Sequence, residues 1–356
     1  MGSNFAFGNR RRITLKVAVL MSGGIDSTMA CLLLREQGYQ VEGLTMINWD
    51  PAVAQKAALA AEGLGIKHHV VDLRKQFQEH VIEYFCSTYA QAHTPNPCVE
   101  CNRWIKFGAL LQIALEEGYD RVATGHYARI EYHEPSGRYH LLKGTDHSKD
   151  QSYFLYQLTQ EQLAHTLFPL GEMTKDQVRQ LAGQHGLAVA QEPDSQEICF
   201  IAGDYREFLE GQGLALQPGE IVNLKGEVLG RHRGLAFYTI GQRKGLGINV
   251  GKPAFVLGMD INKNRLIVDD EHHLFSQELV SAANNWIGID RLEKALTVEA
   301  KIRSTARPAK ATIENQSHDR VLVRFQDPQR AITPGQSVVF YQKDLVLGGG
   351  RIFRSY

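Results

Sequence analysis

Two short motifs carry residues able to do chemistry. Ser22-Gly23-Gly24-Ile25-Asp26-Ser27 stands between an apolar run and a stretch of helical composition. Glycines let a backbone approach a ligand closely, and the first turn of a helix offers free N–H groups and a dipole that favours an anion. With the hydroxyls of Ser22 and Ser27 added, the loop suits a phosphate or pyrophosphate. It has neither the Gly-Lys-Ser/Thr of a Walker loop nor the third glycine of a dinucleotide fingerprint. The plainer reading is a tight strand-to-helix turn with a capping Asp or Ser. The second motif, Thr94-Pro95-Asn96-Pro97-Cys98-Val99-Glu100-Cys101-Asn102, is a stiff, Pro-punctuated loop that holds Cys98 and Cys101 as a CxxC. Cys101 is expected just ahead of a helix that begins near Arg103, where N–H dipoles would lower its pKa and favour the thiolate. Arg103 and Lys106 would reinforce this if they point the same way. A structural zinc would want a second cysteine pair, which the sequence lacks. Cys199, which alone reads as a buried core cysteine, supplies a third thiol. Three thiols suit an iron–sulfur cluster with one open iron, or a persulfide and thiol pair with a spare. Cys31 and Cys86 fall inside apolar helices and read as core.

The elements that must position these motifs alternate at first. Val17–Met21 is a continuous apolar run, as expected of a strand buried on both faces. Helical composition over 27–37, a strand at 40–46, a helix at 52–64, a strand at 69–73, helices at 77–91 and 103–117, and a strand at 121–124 follow. That alternation predicts a parallel α/β sheet with right-handed crossovers. From residue 151 to about 209 helical segments dominate, broken at Pro169-Leu170-Gly171 and at Pro193. After Pro218 short β-like runs take over, among them 255–257, 296–302, 321–325 and 338–341, separated by turn signals such as Asn262-Lys263-Asn264 and Pro334-Gly335. The expected division is 14–209 for the α/β unit with its helical extension, 210–280 for a small central β-rich domain and 281–356 for a β-barrel. Residues 1–13 read as a tail.

At 356 residues the chain has room for two or three domains. A hydrophobic fraction of 43% with 22% charged residues is that of a globular protein, and excludes wholesale disorder, collagen and coiled coil. Lys plus Arg and Asp plus Glu are both 39, so a polybasic nucleic-acid coat is excluded but a local basic face is not. No apolar run is long enough to cross a membrane, and the stretch after Arg10-Arg11-Arg12 is too short for an export signal. The expected location is therefore the cytoplasm, where the five cysteines would remain reduced. Between Val228 and Met259 stand Arg231, Arg233, Arg243, Lys244 and Lys252 without an acid. Glycines and Phe237-Tyr238 interleave with them, as on a surface that tracks and stacks RNA. Lys301, Arg303, Arg307 and Lys310 form a second such stretch. Solvated sheet faces are the plainer reading of both. His68-His69 and His272-His273 read as solvated or loop residues, and Trp49, Trp104 and Trp286 as packing.

The hexapeptide resembles the SGGxDS signature of the PP-loop ATP pyrophosphatases. These enzymes cut ATP between its α and β phosphates and activate an oxygen by adenylation; Asp26 would then help hold Mg2+ and pyrophosphate. Taken with the cysteines, the chain resembles the tRNA-specific 2-thiouridylases (the MnmA/TrmU family) from about Lys16 to Phe353. The pieces are Met21–Ser27, Met46-Ile47-Asn48-Trp49, Thr94 through Gly108, Ala123-Thr124-Gly125-His126-Tyr127, Lys149 through Leu155, Cys199-Phe200-Ile201, Thr239 through Gly247 and Thr333-Pro334-Gly335-Gln336. The resemblance implies that Leu20, Met21, Ser22, Gly23, Gly24, Ile25, Asp26, Ser27, Met46 and Gly125 bind ATP. It makes Cys101 the nucleophile and Cys199 the persulfide carrier. It sets Asn96, Pro97 and Cys98 beside the target base, and His126, Lys149, Asp150, Gln151, Arg303, Ser304 and Gln336 against tRNA. Two positions depart from the family: an acidic residue often stands where Cys98 is, and an aromatic where Ser304 is.

The implied reaction has two steps. The C2 oxygen of the wobble uridine attacks the α-phosphate of ATP, and the Cys199 persulfide then delivers sulfur to C2 while Cys101 closes a disulfide with Cys199. In the alternative, Cys98, Cys101 and Cys199 hold a [4Fe-4S] cluster whose open iron binds sulfide. The partners implied are tRNA, namely those for Lys, Glu and Gln, and a cysteine desulfurase or sulfur-relay protein, with no membrane. Two other readings stand beside this one: another PP-loop enzyme, such as an amidotransferase-type synthetase or tRNA-lysidine synthetase, and a non-catalytic RNA-binding protein with a degenerate loop.

Overall fold

The computed structural model describes residues 14–187, 198–201, 203–214, 216–317 and 319–355. The expected tail at 1–13 and the helix break at Pro193 lie outside the described residues. The first unit is built on a five-stranded parallel sheet. Its strands are β1 (Lys16–Leu20), β2 (Gln40–Ile47), β3 (His68–Asp72), β4 (Arg121–Ala123) and β7 (Thr166–Leu167), in the order β3-β2-β1-β4-β7. Val17, Ala18 and Val19 are wholly buried because β1 is central, paired with β2 on one side and β4 on the other. Both faces are covered, by α1 (Ile25–Glu36), α2 (Ala52–Leu64), α3 (74–90) and α4 (97–116), which explains why the strand carries no polar alternation. Both α3 and α4 widen into π-helical turns part-way along, at Gln78–Ile82 and Cys101–Ala109.

The segment after β4 adds a hairpin that the sequence pattern does not announce. Ala128–His133 (β5) and Arg138–Lys143 (β6) form an antiparallel hairpin that joins the C-terminal sheet through Leu142 against Leu345. Three short helices follow, α5 (Gln160–Ala164), α6 (Lys175–Gln184) and α7 (Tyr205–Gly211). The central unit is a four-stranded sheet of β8 (Gly219–Val222), β9 (Val228–His232), β10 (Phe255–Asp260) and β11 (Arg265–Asp269), in the order β10-β11-β8-β9. The last unit is a closed barrel of six strands, β12 (Phe275–Trp286), β13 (Leu296–Lys301), β14 (Ala309–Ser317), β15 (Arg320–Arg330), β16 (Ser337–Gln342) and β17 (Leu345–Ser355). It closes through β12 against β17. Residue 280, the expected boundary, lies inside β12, so the barrel takes in the chain from Phe275 onward. The α/β unit followed by a small β unit and a barrel is the architecture the sequence predicts. Among the described residues no helix is long and apolar enough to cross a membrane.

The barrel buttresses the cysteine loop. Thr94 donates its N–H to the Pro334 carbonyl at 3.0 Å, and Gln336 Nε2 donates to Pro95 O at 2.8 Å. A Cβ on Gly335 would lie 2.7 Å from Thr94 O, so only glycine allows the approach. Further along, Arg351 on β17 donates to Glu100 Oε1 at 2.8 Å, and Trp104 Nε1 donates to the other Glu100 oxygen at 3.1 Å. Glu100 is only 7% exposed, so removing Arg351 leaves a carboxylate with little solvent to replace its partner. We therefore expect Arg351→Ala to cost about 1–2 kcal/mol in denaturant unfolding, below a fully buried pair because Arg351 itself is partly solvated. Arg351→Lys should recover part of it.

Candidate functional site

The strand β1 ends at Leu20, and the chain turns through Ser22–Gly24 into α1. Ser22 N–H is bonded by Ser27 Oγ at 3.3 Å, and Ser27 Oγ donates to Gly24 O at 3.1 Å, so the hydroxyls brace the turn itself. Gly24 occupies the N-cap without a side-chain cap, which departs from the capped turn of the plainer reading. Gly23 has φ +74°, and a Cβ there would lie 2.6 Å from the backbone of Lys56. Gly125, after β4, packs so closely on Asp26 that a Cβ would sit 2.7 Å from its carbonyl carbon. Between these turns opens a cavity of about 210 Å3, lined by Leu20, Met21, Ser22, Asp26, Ser27, Met46 and Gly125 together with Lys106, His126 and Gln151. Seven of the expected nucleotide-site residues thus face one hollow; Ile25 instead packs into the core under α1.

Asp26 is the single carboxylate in that lining. Its Oδ1 accepts from Tyr127 Oη at 2.9 Å and from Lys175 Nζ at 2.7 Å, and Lys175 Nζ also reaches Oδ2 at 2.8 Å. Lys175 is buried, at the first position of α6 behind the capping box of Thr174 and Gln177. Sequence reasoning missed both partners. The Thr-x-x-Gln signal marks where α6 begins, but nothing local says that its first lysine crosses 149 residues of sequence to meet Asp26.

The cysteines meet next door. Helix α4 starts at Pro97, not near Arg103, because the proline at its first position forfeits only an N–H that has no intrahelical acceptor. Cys101 therefore lies inside the helix, beyond the free N–H groups. It is buried, and burial pushes its thiol up to about 12, with Cys199 and Cys98 adding to the rise and Lys106 opposing it. The expectation of a dipole-lowered thiol is corrected accordingly. Cys98 and Cys199 open onto the cavity, yet desolvation by the surrounding walls raises their thiols as well, and Lys106 lowers both. Lys106 has no carboxylate partner among the described residues. Arg103 turns away, its guanidinium 4.5 Å over the Trp104 ring.

These thiols line a second cavity of about 330 Å3 that shares Met21, Ser22, Met46, Lys106, His126 and Gln151 with the first. Asn48 Nδ2 points at Cys199 Sγ, 3.7 Å away. The neighbouring Phe200 anchors that segment among Phe77, Phe85 and Phe208, with ring centroids 5.3–5.6 Å apart. Among the described residues no three His, Cys, Asp or Glu side chains converge as a metal cage. Cys98, Cys101 and Cys199 nonetheless line one cavity together.

The residues expected against RNA divide. Asn96, Pro97 and Cys98 lie at the start of α4, with Pro97 and Cys98 in the lining of the second cavity. His126 is buried in the wall common to both, 2.7 Å from Thr124 Oγ1, and burial pulls its pKa far down so that it is neutral. Gln151 accepts from Tyr127 N–H at 3.0 Å in the same wall. Asp150 is committed to its own loop, accepting from Gly144 and Ser152, because it stabilises the turn that presents Gln151. Lys149 is half-buried beside it and Ser304 is exposed. Arg303 donates to Ile240 O at 3.3 Å and Ala331 O at 2.7 Å, and Gln336 to the Thr94–Pro95 carbonyls, so both are internal ties. In the central unit Arg231, Arg233, Arg243 and Lys244 are exposed with no ion-pair partner among the described residues, whereas Lys252 pairs with Asp270 at 2.6 Å. Phe237 and Tyr238 are buried in that unit's core and offer no stacking face, contrary to expectation. His68 and His69 lie in a strand, bonded to Thr45 and Glu42, and His69 is exposed as the solvated reading expects.

A parallel α/β unit whose glycine turn shares a cavity wall with three thiols defines a PP-loop-type protein. Residues 15–203 match the family model described as a tRNA methyl transferase HUP domain, 206–270 a tRNA methyl transferase PRC-barrel domain, and 276–352 an aminomethyltransferase beta-barrel domain. The chain is 52% identical to the tRNA-specific 2-thiouridylase MnmA of Syntrophomonas wolfei, over 95% of its own length and 100% of the relative's. Identity is 48% to the protein of the same name from Clostridium perfringens, with 95% and 98% covered, and 46% to that from Carboxydothermus hydrogenoformans, with 95% and 97% covered. The chain belongs to the tRNA-specific 2-thiouridylase family.

Only a thiolate is alkylated, and each pH unit below a thiol's pKa lowers its population about tenfold. With the free thiol pushed up to about 12, Cys101 should react with iodoacetamide about tenfold faster per unit from pH 7 to 9. Lys106→Gln removes the opposing charge and should slow alkylation of Cys98, Cys101 and Cys199 several-fold at every pH, with Cys86 unchanged as the internal control, all read by peptide mass spectrometry.

Proposed function

We propose that the chain 2-thiolates the wobble uridine of tRNA, taking ATP in the first cavity and sulfur in the second. The observation that carries this reading is the shared wall: one side chain, Lys106, faces both the nucleotide turn and the three thiols. In the first step the uridine O2 attacks the α-phosphate of ATP and pyrophosphate leaves. The oxygen, a poor leaving group as a carbonyl, becomes part of AMP. The triphosphate would lie against the Ser22–Ser27 turn, with Lys175 offsetting the charge of Asp26 and Mg2+ held chiefly by the phosphates beside that carboxylate.

In the second step the outer sulfur of a Cys199 persulfide attacks C2 and AMP departs. Cys101 thiolate then attacks Cys199 Sγ, the sulfur–sulfur bond breaks toward the base, and 2-thiouridine and a Cys101–Cys199 disulfide result. An external thiol reductant resets the pair, and a cysteine desulfurase or sulfur-relay protein reloads Cys199. Lys106 would steady the anionic sulfur and the departing phosphate in turn. Asn96, Pro97, Cys98, His126 and Gln151 would surround the base, and Lys149, Ser304 and the free cations of the central unit would meet the tRNA backbone of the Lys, Glu and Gln acceptors.

Incubating the protein with tRNA, ATP and a persulfide source should yield 2-thiouridine by nucleoside mass spectrometry. Cys101→Ser should abolish that product while tRNA affinity in gel shift stays within about twofold; affinity falling as far as activity would remove Cys101 from the sulfur step. Asp26→Ala should block tRNA-dependent pyrophosphate release, because it removes the carboxylate beside the phosphate turn; near-normal release would take Asp26 out of the phosphate site.

A further inference from the structure

Three thiols line one cavity, but the reaction proposed above loads only one of them with sulfur. Burial sets Cys101 apart, whereas Cys98 and Cys199 are both exposed. Desolvation raises both open thiols, and the Lys106 charge lowers both, so neither effect separates them. One contact does. Asn48 Nδ2 lies 3.7 Å from Cys199 Sγ, within reach of an N–H···S bond, and Cys98 has no such donor among the described residues. The contact is held from both sides. Asn48 directly follows β2, whose last residue, Ile47, pairs with Asp72 in β3. The next residue, Trp49, packs on Phe200, the residue after Cys199, with ring centroids 6.4 Å apart, and on Phe208 at 5.8 Å. Asn48 thus faces Cys199 while Trp49 faces Phe200.

The Asn48 amide has no other hydrogen-bond partner among the described residues, so its NH2 is free to meet sulfur. A thiolate can only accept, and a bond to a charged acceptor is about twice as strong as one between neutral groups. The contact therefore favours Cys199 as the anion. Resting on the 2-thiolation reading above, we infer that Asn48 selects Cys199 over Cys98 as the thiol that is loaded with sulfur. The sulfur donor is a persulfide, R–S–SH. Cys199 thiolate attacks the outer sulfur, the sulfur–sulfur bond breaks, R–S⁻ departs, and Cys199 keeps the outer sulfur as S–SH. No oxidant or reductant is consumed. Asn48 holds the charge on Sγ before the attack. Afterwards Sγ is neutral, and the charge of the ionised persulfide sits on the outer sulfur, which is free to turn to the base. For a thiol above neutrality, the gain in thiolate outweighs the loss of intrinsic nucleophilicity, about threefold in rate for each unit by which the pKa falls.

The test treats reduced protein with glutathione persulfide, without ATP or tRNA, and follows the Cys98 and Cys199 peptides by mass spectrometry. Initial rates are compared, before sulfur can migrate between thiols. In the wild type Cys199 should load about threefold or more faster than Cys98. In Asn48→Ala loading of Cys199 should fall about threefold while Cys98 is unchanged, so the preference collapses. Asn48→Asp keeps the shape but sets a carboxylate beside the sulfur, and should slow Cys199 further. Alkylation of Cys199 by iodoacetamide should slow in parallel, with Cys86 unchanged as the internal control of folding. Equal loading of the two thiols in the wild type overturns the inference, as does a preference for Cys199 that survives both substitutions. If Asn48→Ala does not fold, Asn48→Asp decides. Adding tRNA and ATP to the loaded wild type then tests the reaction separately. Sulfur that stays on Cys199 and never reaches the tRNA overturns the 2-thiolation reading and leaves selection by Asn48 standing.

Discussion

The site depends on a thiol kept from water beside an ammonium with no carboxylate partner. Desolvation alone would hold Cys101 protonated and inert. Lys106 is the opposing charge, and it acts on Cys98 and Cys199 too. Lys106 lines both cavities, so its charge faces the glycine turn on one side and the thiols on the other. The burial that makes the thiol sluggish also protects it from adventitious oxidation, which requires an accessible thiolate.

Such a wall has to be stiff, because its two sides come from distant parts of the chain. The glycine turn is set by β1 at the centre of the sheet. The thiol side rests on α4, and α4 rests on the barrel through Gln336, Gly335 and Arg351. The barrel also grips the segment that carries Gln151, since Tyr153 Oη bonds Ser337 O at 3.0 Å and Ser337 Oγ meets Tyr156 Oη at 3.1 Å. Residues that resemblance sets against RNA, Arg303 and Gln336, thus contribute by fixing the frame. Arg303 ties the central unit's Ile240 to the barrel, so a macromolecule bound on the exposed cations of that unit would press on a body joined to the cysteine loop.

What the sequence made legible was local. The run 17–21, the Gly-Gly turn and the change to β-like runs after Pro218 follow from periodicity and turn chemistry, which depend on near neighbours. The start of α4 was misplaced because the residues after Pro97 look like loop by composition, although proline at a first helical position is favourable. The β5–β6 hairpin was missed because Arg138–Lys143 alternates weakly, and its pairing partner Leu345 is remote. The Asp26–Lys175–Tyr127 contact and the burial of Phe237 and Tyr238 are tertiary facts with no sequence period to announce them.

That Asp26 contact resolves an apparent contradiction in the nucleotide cradle. A turn that presents N–H groups to a polyphosphate ought not to carry a carboxylate, since like charges a few ångströms apart in a partly dry cleft repel strongly. Lys175 pairs with both oxygens of Asp26, and Tyr127 donates to one of them. Lys175 is buried, and its ammonium meets the cleft through the carboxylate it restrains. If the turn takes ATP as proposed, Asp26 would share a hydrated cation with the phosphates without repelling them, its orientation held by Tyr127. The two charged groups of the first cavity thus differ: Asp26 is paired behind the surface, whereas Lys106, in the wall shared with the thiols, has no carboxylate partner among the described residues.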